Sequence, residues 1–322
     1  MTIKIDKPGM LTSLQDLGRY TYQQYGVIVN GAMDPFAHTA ANLLVGNPEG
    51  EATLEVTLTG PKLTFGIDTY IAICGADLTP SINEKPIENW RTISVKEGDV
   101  LEFGKCKWGC RAYIAVAGGF DTKREMGSKS TYLRAGIGGY KGRALKEGDT
   151  LSVCSDGDSF HPVSLNWFVS HELRAVYSNK NTIRAVKGRH FELFTKESQA
   201  AFFNEGFKIS TQSDRMGYRA EGTALQLEEQ REILSEPVLF GTVQVPSEGK
   251  PIILMADRQT TGGYPKIAQA AYVDLPKLAQ AKPGDSIVFQ EISDEEAQIN
   301  YIIQKIQLNY LKTGIGLKNR ER

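Results

Sequence analysis

The densest group of polar residues in the sequence occupies positions 257–265, Asp-Arg-Gln-Thr-Thr-Gly-Gly-Tyr-Pro, directly after the apolar run 252–255. A short apolar run is typical of a buried strand, so these polar groups should emerge where a strand ends. Arg258 could bind a carboxylate through its planar guanidinium, and Asp257 could act as a base or orient a reacting group. The segment therefore predicts a small-molecule site.

The residues that follow the arginine add hydrogen-bonding groups to this candidate site. Thr260 and Thr261 are further catalytic candidates through their hydroxyls, and the amides of Gly262 and Gly263 could stabilise an oxyanion. These two glycines, with Tyr264, are predicted to contact the substrate, because glycine lets the backbone approach a ligand closely. A tight Gly-Gly turn beside a surface ion pair explains the same pattern without a site.

A second charged group lies upstream and contains Asp214, Arg215 and Arg219. If it faces the first group in one cleft, paired carboxylates and arginines could shift a pKa toward a catalytic value. Asp214 is then a catalytic candidate, and the two arginines are candidates for substrate binding. Gln244, on a strand-like segment, could point into the same cleft because alternate strand residues share a face. A salt-bridged turn and an exposed strand face are the alternatives.

Other motifs that suggest chemistry do not meet its requirements. Residues 127–131, Gly-Ser-Lys-Ser-Thr, lack the glycine that precedes lysine in a phosphate loop. Residues 136–143 lack the strand-to-helix frame of a dinucleotide site, and they predict a glycine-rich loop that could contact a substrate or partner. Neither the four histidines nor the pair Cys106 and Cys110 shows metal-ligand spacing. We therefore expect no metal site.

Composition limits the class of protein. A chain of 322 residues favours two domains, and the polar cluster at residues 155–159 places the join near 155–180. The formal net charge of −1 gives no basic surface for nucleic acid. No apolar run reaches the roughly 18 residues of a membrane span, and no signal peptide is evident, so we expect a cytoplasmic protein. Four cysteines do not suggest a disulfide scaffold.

Local patterns predict a mainly β chain with a few helices. Strands are expected at residues 69–74, 100–103, 111–117, 150–153, 252–255 and 286–289, and Lys-Glu-Gly-Asp or Lys-Pro-Gly-Asp turns precede three of them. Asp34 and Pro35 predict a helix start, and Ser293 with Glu296 predicts a capping box for a C-terminal helix. Shorter helices are expected at 195–205 and 274–280, and a solvated, mobile tail from Lys312.

The two halves of the chain contain similar patterns. The apolar strand that ends at Asp77 resembles the one that ends at Asp257, and the polar group Gln15, Asp16 and Arg19 partly matches residues 213–219. We interpret this as a diverged internal duplication. The roles of Gln15, Asp16 and Arg19 stay open.

Longer segments show a resemblance to a known family. Residues 8–19, 30–34, 41–47, 115–120, 213–219 and 257–265 resemble the allophanate hydrolase subunit 2, or biotin-dependent carboxyltransferase, family. The resemblance runs through most of the chain and implies two tandem cyclophilin-like β-barrel units from an internal duplication. We expect an N-terminal half at 1–165, a C-terminal half at 166–295, and a helix and tail at 296–322.

Within this family the chain resembles the stand-alone bacterial C subunits of 5-oxoprolinase. The resemblance implies ATP-dependent opening of 5-oxo-L-proline to L-glutamate, together with the A subunit and the KipI-like B subunit of that enzyme. ATP could be bound by a partner subunit, and biotin would have to be carried by another protein. The alternatives are a regulatory protein that antagonises a KipI-like histidine kinase inhibitor, and a carboxyltransferase that acts on urea or a related amide.

Overall fold

The computed structural model describes residues 1–154, 168–174 and 177–320, and the chain divides into two compact units. The first unit comprises Met1–Arg19, Asn30–Ala175 and Ile306–Arg322, and the second comprises Tyr20–Val29 and Val176–Lys305. Each unit therefore combines segments that are distant in the sequence. The polar cluster at residues 155–159, on which the predicted join depends, lies outside the described residues.

The described part of the first unit contains two antiparallel sheets. Its strands are β1 (Thr2–Lys7), β2 (Leu11–Gln15), β3 (Thr53–Thr57), β4 (Lys62–Phe65), β5 (Thr69–Asp77), β6 (Pro80–Ile82), β7 (Lys85–Pro86), β8 (Thr92–Val95), β9 (Val100–Phe103), β10 (Trp108–Val116) and β11 (Thr150–Ser152). One sheet has the order β11-β1-β4-β9-β6-β7, and the other has the order β2-β3-β10-β5-β8. Ile3 lies opposite Phe65, and Ile5 lies opposite Leu63, so alternate residues of β1 and β4 enter the core.

Helix α1 (Pro35–Leu44) packs against β5 and β10 of the first unit. Its start is the one that the sequence predicts, because Asp34 Oδ1 accepts a hydrogen bond of 2.9 Å from the Ala37 amide and Pro35 follows the cap. After the helix ends, Gly46 has a φ of 74°, which favours glycine. The aspartate therefore acts as a helix cap.

One turn occurs three times and introduces β9, β11 and, in the second unit, β20 (Ser286–Glu291). In each copy an aspartate accepts a hydrogen bond from the amide of the lysine three residues earlier, with distances of 2.8, 2.7 and 3.1 Å. The glycine before each aspartate has a φ between 82° and 94°. The predicted turns are confirmed, and their presence in both units supports the predicted duplication.

The second unit is centred on a closed barrel. Its strands are β12 (Lys180–Lys187), β13 (Gly206–Ile209), β14 (Gly217–Glu221), β15 (Glu236–Pro237), β16 (Thr242–Gln244), β17 (Ile252–Leu254), β18 (Thr261–Gly262), β19 (Lys266–Ala270) and β20. The barrel has the order β12-β19-β16-β17-β14-β13-β20, and β15 with β18 forms a separate ribbon. Phe202 and Phe289 stack in its core with ring centres 4.4 Å apart.

Three helices follow or interrupt the barrel strands, and each lies where the sequence predicts one. They are α2 (Lys196–Asn204), α3 (Leu275–Gln280) and α4 (Asp294–Arg320). The capping box of α4 is present, because Ser293 Oγ accepts from the Glu296 amide and Glu296 Oε2 accepts from the Ser293 amide. The prediction of a solvated tail from Lys312 is wrong, because α4 continues to Arg320 and buries Leu311 and Ile315.

The predicted fold class, mainly β with a few helices in two β-rich units, is confirmed. The second unit provides the closed barrel, and the first arranges its strands as two sheets around one core. Among the described residues, no helix combines the length and the apolar character that a membrane span requires.

A fully buried histidine in α1, His38, is expected to make the stability of the first unit depend on pH. His38 Nδ1 lies 2.9 Å from Thr53 Oγ1, and burial lowers its pKa from 6.5 to about 4. The folded state therefore favours the neutral ring, so its contribution is complete above pH 6.5 and is lost as the pH falls toward 4. We expect the free energy of unfolding to drop by about 2 kcal/mol between pH 7.5 and pH 5 through this group.

Urea titrations at the two pH values test this expectation, with His38→Gln as the control. Glutamine keeps an amide that can bond Thr53 but does not titrate, so the variant should lose about 2 kcal/mol less than the wild-type protein over this pH range. Equal losses in the two proteins would show that His38 is not the group responsible.

Candidate functional site

The two charged segments predicted from the sequence meet where β17 ends and β14 begins. These strands pair antiparallel, with Gly217 opposite Leu254. The residues that precede β14 therefore lie near those that follow β17. Arg215 donates from Nε and Nη2 to the two carboxylate oxygens of Asp257, at 3.1 and 3.0 Å. Both side chains are 7% exposed. Arg215 and Asp257 therefore form a buried, bidentate ion pair.

This ion pair changes what the two residues can do. The Asp257 amide also donates to the Arg215 carbonyl at 2.8 Å, so side chain and backbone hold the same junction. Because a bidentate pair uses the edge of the guanidinium that would bind a substrate carboxylate, Arg215 is better explained as a structural partner. Asp257 then fixes the turn that carries Arg258.

The side chains of Asp214 and Arg219 make other contacts than this ion pair. Asp214 is exposed, and its Oδ1 accepts from the amides of Met216 and Gly217, at 2.8 and 3.3 Å. These contacts stabilise the turn before β14, as expected for aspartate in this position. Arg219 is exposed and lines a separate cavity of about 250 Å³ with Glu248 and Lys250.

Arg258 has a different environment from Arg215. Its side chain is buried, Nη1 lies 3.4 Å from the Met255 carbonyl, and its guanidinium lies 5.7 Å from the centre of the Phe240 ring. Burial lowers the pKa of Arg258, although the Tyr20 phenol and the Asp257 carboxylate raise it. In the part of the chain that the structure describes, no carboxylate lies within ion-pair distance of this guanidinium.

Arg258 lines a cavity of about 520 Å³ in the second unit. Its walls are mainly apolar and aromatic and include Phe240, Tyr272 and Tyr301. The tyrosine rings pack edge to face, with centres 5.3 Å apart, and one lies before α3 while the other lies on α4. The wall also includes the exposed carboxylate of Asp294. A small organic anion could still compensate the buried charge of Arg258 if its anionic group bound beside the guanidinium.

The remaining predicted residues lie around the ribbon of β15 and β18. Gln244 is almost fully buried, and its Nε2 lies 3.4 Å from the Tyr264 carbonyl. A Cβ on Gly262 would lie 2.6 Å from Gln244 Nε2, and one on Gly263 would lie 3.1 Å from the Ile233 carbonyl. Close packing therefore explains both glycines, and it accounts for Gln244 without a substrate contact.

The predicted residues at the edges of this ribbon do not line the cavity that contains Arg258. Gly263 and Tyr264 line a different cavity, of about 390 Å³. The Thr260 carbonyl accepts from the Val238 amide at 3.1 Å, and Thr261 lies opposite Pro237 in the ribbon with its side chain exposed. The residues predicted to share one cleft therefore line separate cavities. Of these predicted residues, Arg258 lines the 520 Å³ cavity.

A charged cluster beside the ribbon was not predicted. Glu236 Oε1 lies 2.6 Å from Lys266 Nζ, its Oε2 lies 2.8 Å from Arg189 Nη1, and His190 Nε2 lies 3.7 Å from the same carboxylate. Burial lowers the pKa of His190, and hydrogen bonding to Lys266 lowers that of Glu236. These residues come from three distant segments, so no local spacing could reveal the cluster.

The polar group of the first unit has a structural role. Asp16 accepts hydrogen bonds of 2.5 to 2.7 Å from the Gly18 and Lys129 amides and from the Ser128 and Ser130 hydroxyls. Burial raises the pKa of Asp16, but these hydrogen bonds outweigh that effect and hold it below its usual value. Arg19 Nη2 donates to the Ser130 carbonyl at 2.6 Å. These hydrogen bonds connect residues 128–130, part of the segment that partly resembles a phosphate loop, to the residues that follow β2.

The glycine-rich loop at residues 136–143 is also held by internal contacts. The Gly138 amide donates to Glu125 Oε2 at 3.0 Å, and the Gly142 amide donates to the Gly138 carbonyl at 2.9 Å. Arg143 forms a bidentate pair with Asp149, at 2.7 and 2.8 Å. These contacts give the loop a structural function. Within residues 1–154, 168–174 and 177–320, no cluster of three metal-ligating side chains is present.

Comparison with known proteins identifies the family. The family model described as "Carboxyltransferase domain, subdomain A and B" matches residues 25–291. The chain belongs to this family. It is 37% identical to the 5-oxoprolinase C subunit of Haemophilus influenzae over 95% of this chain and 96% of that protein. It is 41% identical to the 5-oxoprolinase C subunit of Escherichia coli over 92% of this chain and 93% of that protein.

Solved structures agree with this carboxyltransferase assignment. The K. lactis urea amidolyase superposes with a TM-score of 0.90 at 31% identity, covering 96% of this chain but 20% of that chain. The Kluyveromyces lactis urea carboxylase gives the same TM-score and identity, covering 98% of this chain and 29% of that chain. The family resemblance seen in the sequence is confirmed. In these two structures, the region similar to this chain is one part of a longer polypeptide.

Proposed function

We propose that this chain is the C subunit of an ATP-dependent 5-oxoprolinase, which opens 5-oxo-L-proline to L-glutamate together with its A and B subunits. The observation that carries the proposal is the identity of 37% and 41% to two 5-oxoprolinase C subunits across more than nine-tenths of each protein. The urea amidolyase relatives are matched over only 17% of their length. The 5-oxoprolinase C subunits are matched at higher identity and over almost their whole length, so they support the 5-oxoprolinase function better than the urea amidolyase function.

The Arg258 cavity suits the substrate of this reaction. 5-Oxoproline is a small cyclic amide with one carboxylate, and a buried guanidinium can bind that carboxylate with two N–H groups. Arg215 already binds Asp257 in this way, whereas Arg258 faces the cavity with no carboxylate at ion-pair distance among the described residues. We therefore assign Arg258 as the substrate-binding arginine and Asp257 as a residue that positions it.

The chemistry requires a partner. The lactam is resonance-stabilised, so ATP must convert its oxygen into a leaving group before water attacks the carbonyl carbon. Two loops of this chain could be considered for phosphate binding, residues 127–131 and 136–143. Backbone amides in both loops already donate hydrogen bonds to carboxylates of this chain, so we expect a companion protein of the complex to bind ATP. Thr260 and Thr261 follow Arg258 in the sequence and stay candidates for contact with the lactam oxygen.

The mouth of the cavity supports a function in a complex. Leu239 and Ile302, both more than half exposed, line it, and Ile299 is exposed on the same stretch of α4. Monomeric proteins rarely leave such apolar groups clustered, and clusters of this kind often mark interfaces. A companion protein that covered them would also exclude water from the reacting lactam.

Reconstitution of the enzyme tests the proposed function. The companion A and B subunits should release glutamate from 5-oxoproline and ATP only when this chain is added, and urea with carboxybiotin should give no carboxylated product. Glutamate release at the same rate without the chain would refute the proposal. Activity on urea with carboxybiotin would instead identify a carboxyltransferase.

A further inference from the structure

One face of α4 forms part of the wall of the 520 Å³ cavity. The helix contributes five residues to the lining, at positions i, i+3, i+4, i+7 and i+8, which is the spacing of a single helical face. They are Asp294, Ala297, Gln298, Tyr301 and Ile302. Asp294 is the charged member of this face and the first residue of the helix. The start of α4 therefore brings a carboxylate to the cavity that Arg258 also lines.

Contacts within the protein do not account for the position of the Asp294 carboxylate. No described residue forms an ion pair or a hydrogen bond with it. Glu296, in the same helical turn, differs because its Oε2 accepts from the Ser293 amide in the capping box. The helix dipole favours acids at this end of a helix, but this effect applies equally to Glu295, which is not among the residues that line the cavity.

The cavity wall thus carries a cation and an anion that do not pair with each other. Arg258 is buried and Asp294 is exposed, so the cation lies deeper than the anion. A ligand with a carboxylate alone would satisfy Arg258 but would be repelled by Asp294, since like charges disfavour each other. A ligand that carries a carboxylate and a neighbouring N–H donor would satisfy both residues.

The proposed reaction has such a ligand on both sides. In 5-oxoproline the carboxylate and the lactam nitrogen are attached to the same carbon atom. Hydrolysis adds water across the C–N bond, so that the carbonyl carbon gains the oxygen and the nitrogen gains a hydrogen. At neutral pH the nitrogen takes one further proton and becomes the α-ammonium of L-glutamate. The donor beside the carboxylate is therefore neutral in the substrate and positively charged in the product.

We propose that Asp294 is a second ligand-binding residue, which accepts a hydrogen bond from the lactam N–H and then pairs with the α-ammonium of the product. The ligand class is the α-amino acid group, whose carboxylate binds Arg258 while its nitrogen binds Asp294. This inference rests on the proposed function and adds the residue that would distinguish an amino acid from a simple carboxylate.

The test measures inhibition of the reconstituted complex by L-glutamate and by glutarate, which has both carboxylates but no ammonium. Asp294→Asn keeps an oxygen that can accept from the neutral lactam N–H but removes the charge that pairs with an ammonium. We expect the Ki of L-glutamate to rise about tenfold, as for the loss of a hydrogen bond between charged groups. Glutarate should bind no more weakly than to the wild-type complex, and the KM for 5-oxoproline should change by less than about threefold.

Glu295→Gln is the matched control, because it removes the same charge from the same turn of α4 at a position outside the cavity lining. Neither Ki should change by more than about twofold in this variant. A selective loss of L-glutamate binding in Asp294→Asn, with an unchanged melting temperature, would support the inference.

Other outcomes would overturn it while leaving the 5-oxoprolinase assignment intact. These are an unchanged Ki for L-glutamate in Asp294→Asn, equal weakening of both inhibitors, the same effect in Glu295→Gln, or a wild-type complex that L-glutamate inhibits no more strongly than glutarate does. If the wild-type complex showed no activity on 5-oxoproline, the proposed function itself would fail, and this inference with it.

Discussion

Replacing Arg258 by methionine is expected to lower kcat/KM for 5-oxoproline by about a hundredfold or more in the reconstituted complex. Loss of a buried, charge-assisted contact to a substrate typically costs about 3 kcal/mol, which corresponds to that factor. Arg258→Lys keeps the charge but loses the planar fork, so it should recover only part of the activity. Steady-state kinetics with varied 5-oxoproline measure both effects.

The same substitution should leave the protein folded, which separates binding from structural support. Arg258 is a buried cation without a carboxylate at ion-pair distance in the described structure, and methionine has a similar length and can pack on Phe240. We therefore expect a melting temperature equal to or above that of the wild-type protein. A large decrease in melting temperature that accounted for the lost activity would show that Arg258 supports the fold.

Replacing Asp257 by asparagine should destabilise the protein by about 3 to 5 kcal/mol. The substitution leaves the Arg215 cation buried without its carboxylate, and removal of one partner from a buried ion pair typically has this cost. Urea titration measures the free energy of unfolding. Removing both charges, with Arg215→Met and Asp257→Leu, should recover most of the stability, because well-packed apolar residues can replace a buried ion pair.

The chain offers a matched control for Asp257. Asp77 ends the corresponding strand of the first unit, but it is partly exposed and lies 3.9 Å from Lys107. Asp77→Asn should therefore change the free energy of unfolding by less than about 1 kcal/mol. If Asp257→Asn were as stable as the wild-type protein and yet inactive, Asp257 would be a catalytic residue, and its positioning role would be wrong.

Local features of the fold could be predicted from the sequence because the interactions involve near neighbours. The cap at Asp34, the capping box of α4 and the Lys-x-Gly-Asp turns each depend on residues three positions apart. The end of α4 could not be predicted in the same way. It depends on burial of Leu311 and Ile315, which lie in the part of α4 that belongs to the first unit. The polar residues around Lys312 gave no sign of this burial in the sequence.

The candidate site was predictable only in part. The sequence indicated that Arg215, Asp257 and Arg258 lie close together, but it could not show which arginine Asp257 would bind. That choice follows from strand pairing, which places Arg215 across from Asp257 and leaves Arg258 to face the cavity. The Glu236 cluster could not be predicted, because tertiary packing brings its members together from distant segments.

A crystal structure of the complex with 5-oxoproline bound is the most direct test of the central claim, that the Arg258 cavity holds the substrate carboxylate. We predict both carboxylate oxygens within about 3 Å of the Arg258 guanidinium nitrogens, with the lactam ring against the aromatic walls. Substrate bound elsewhere, with no contact to Arg258, would contradict the account.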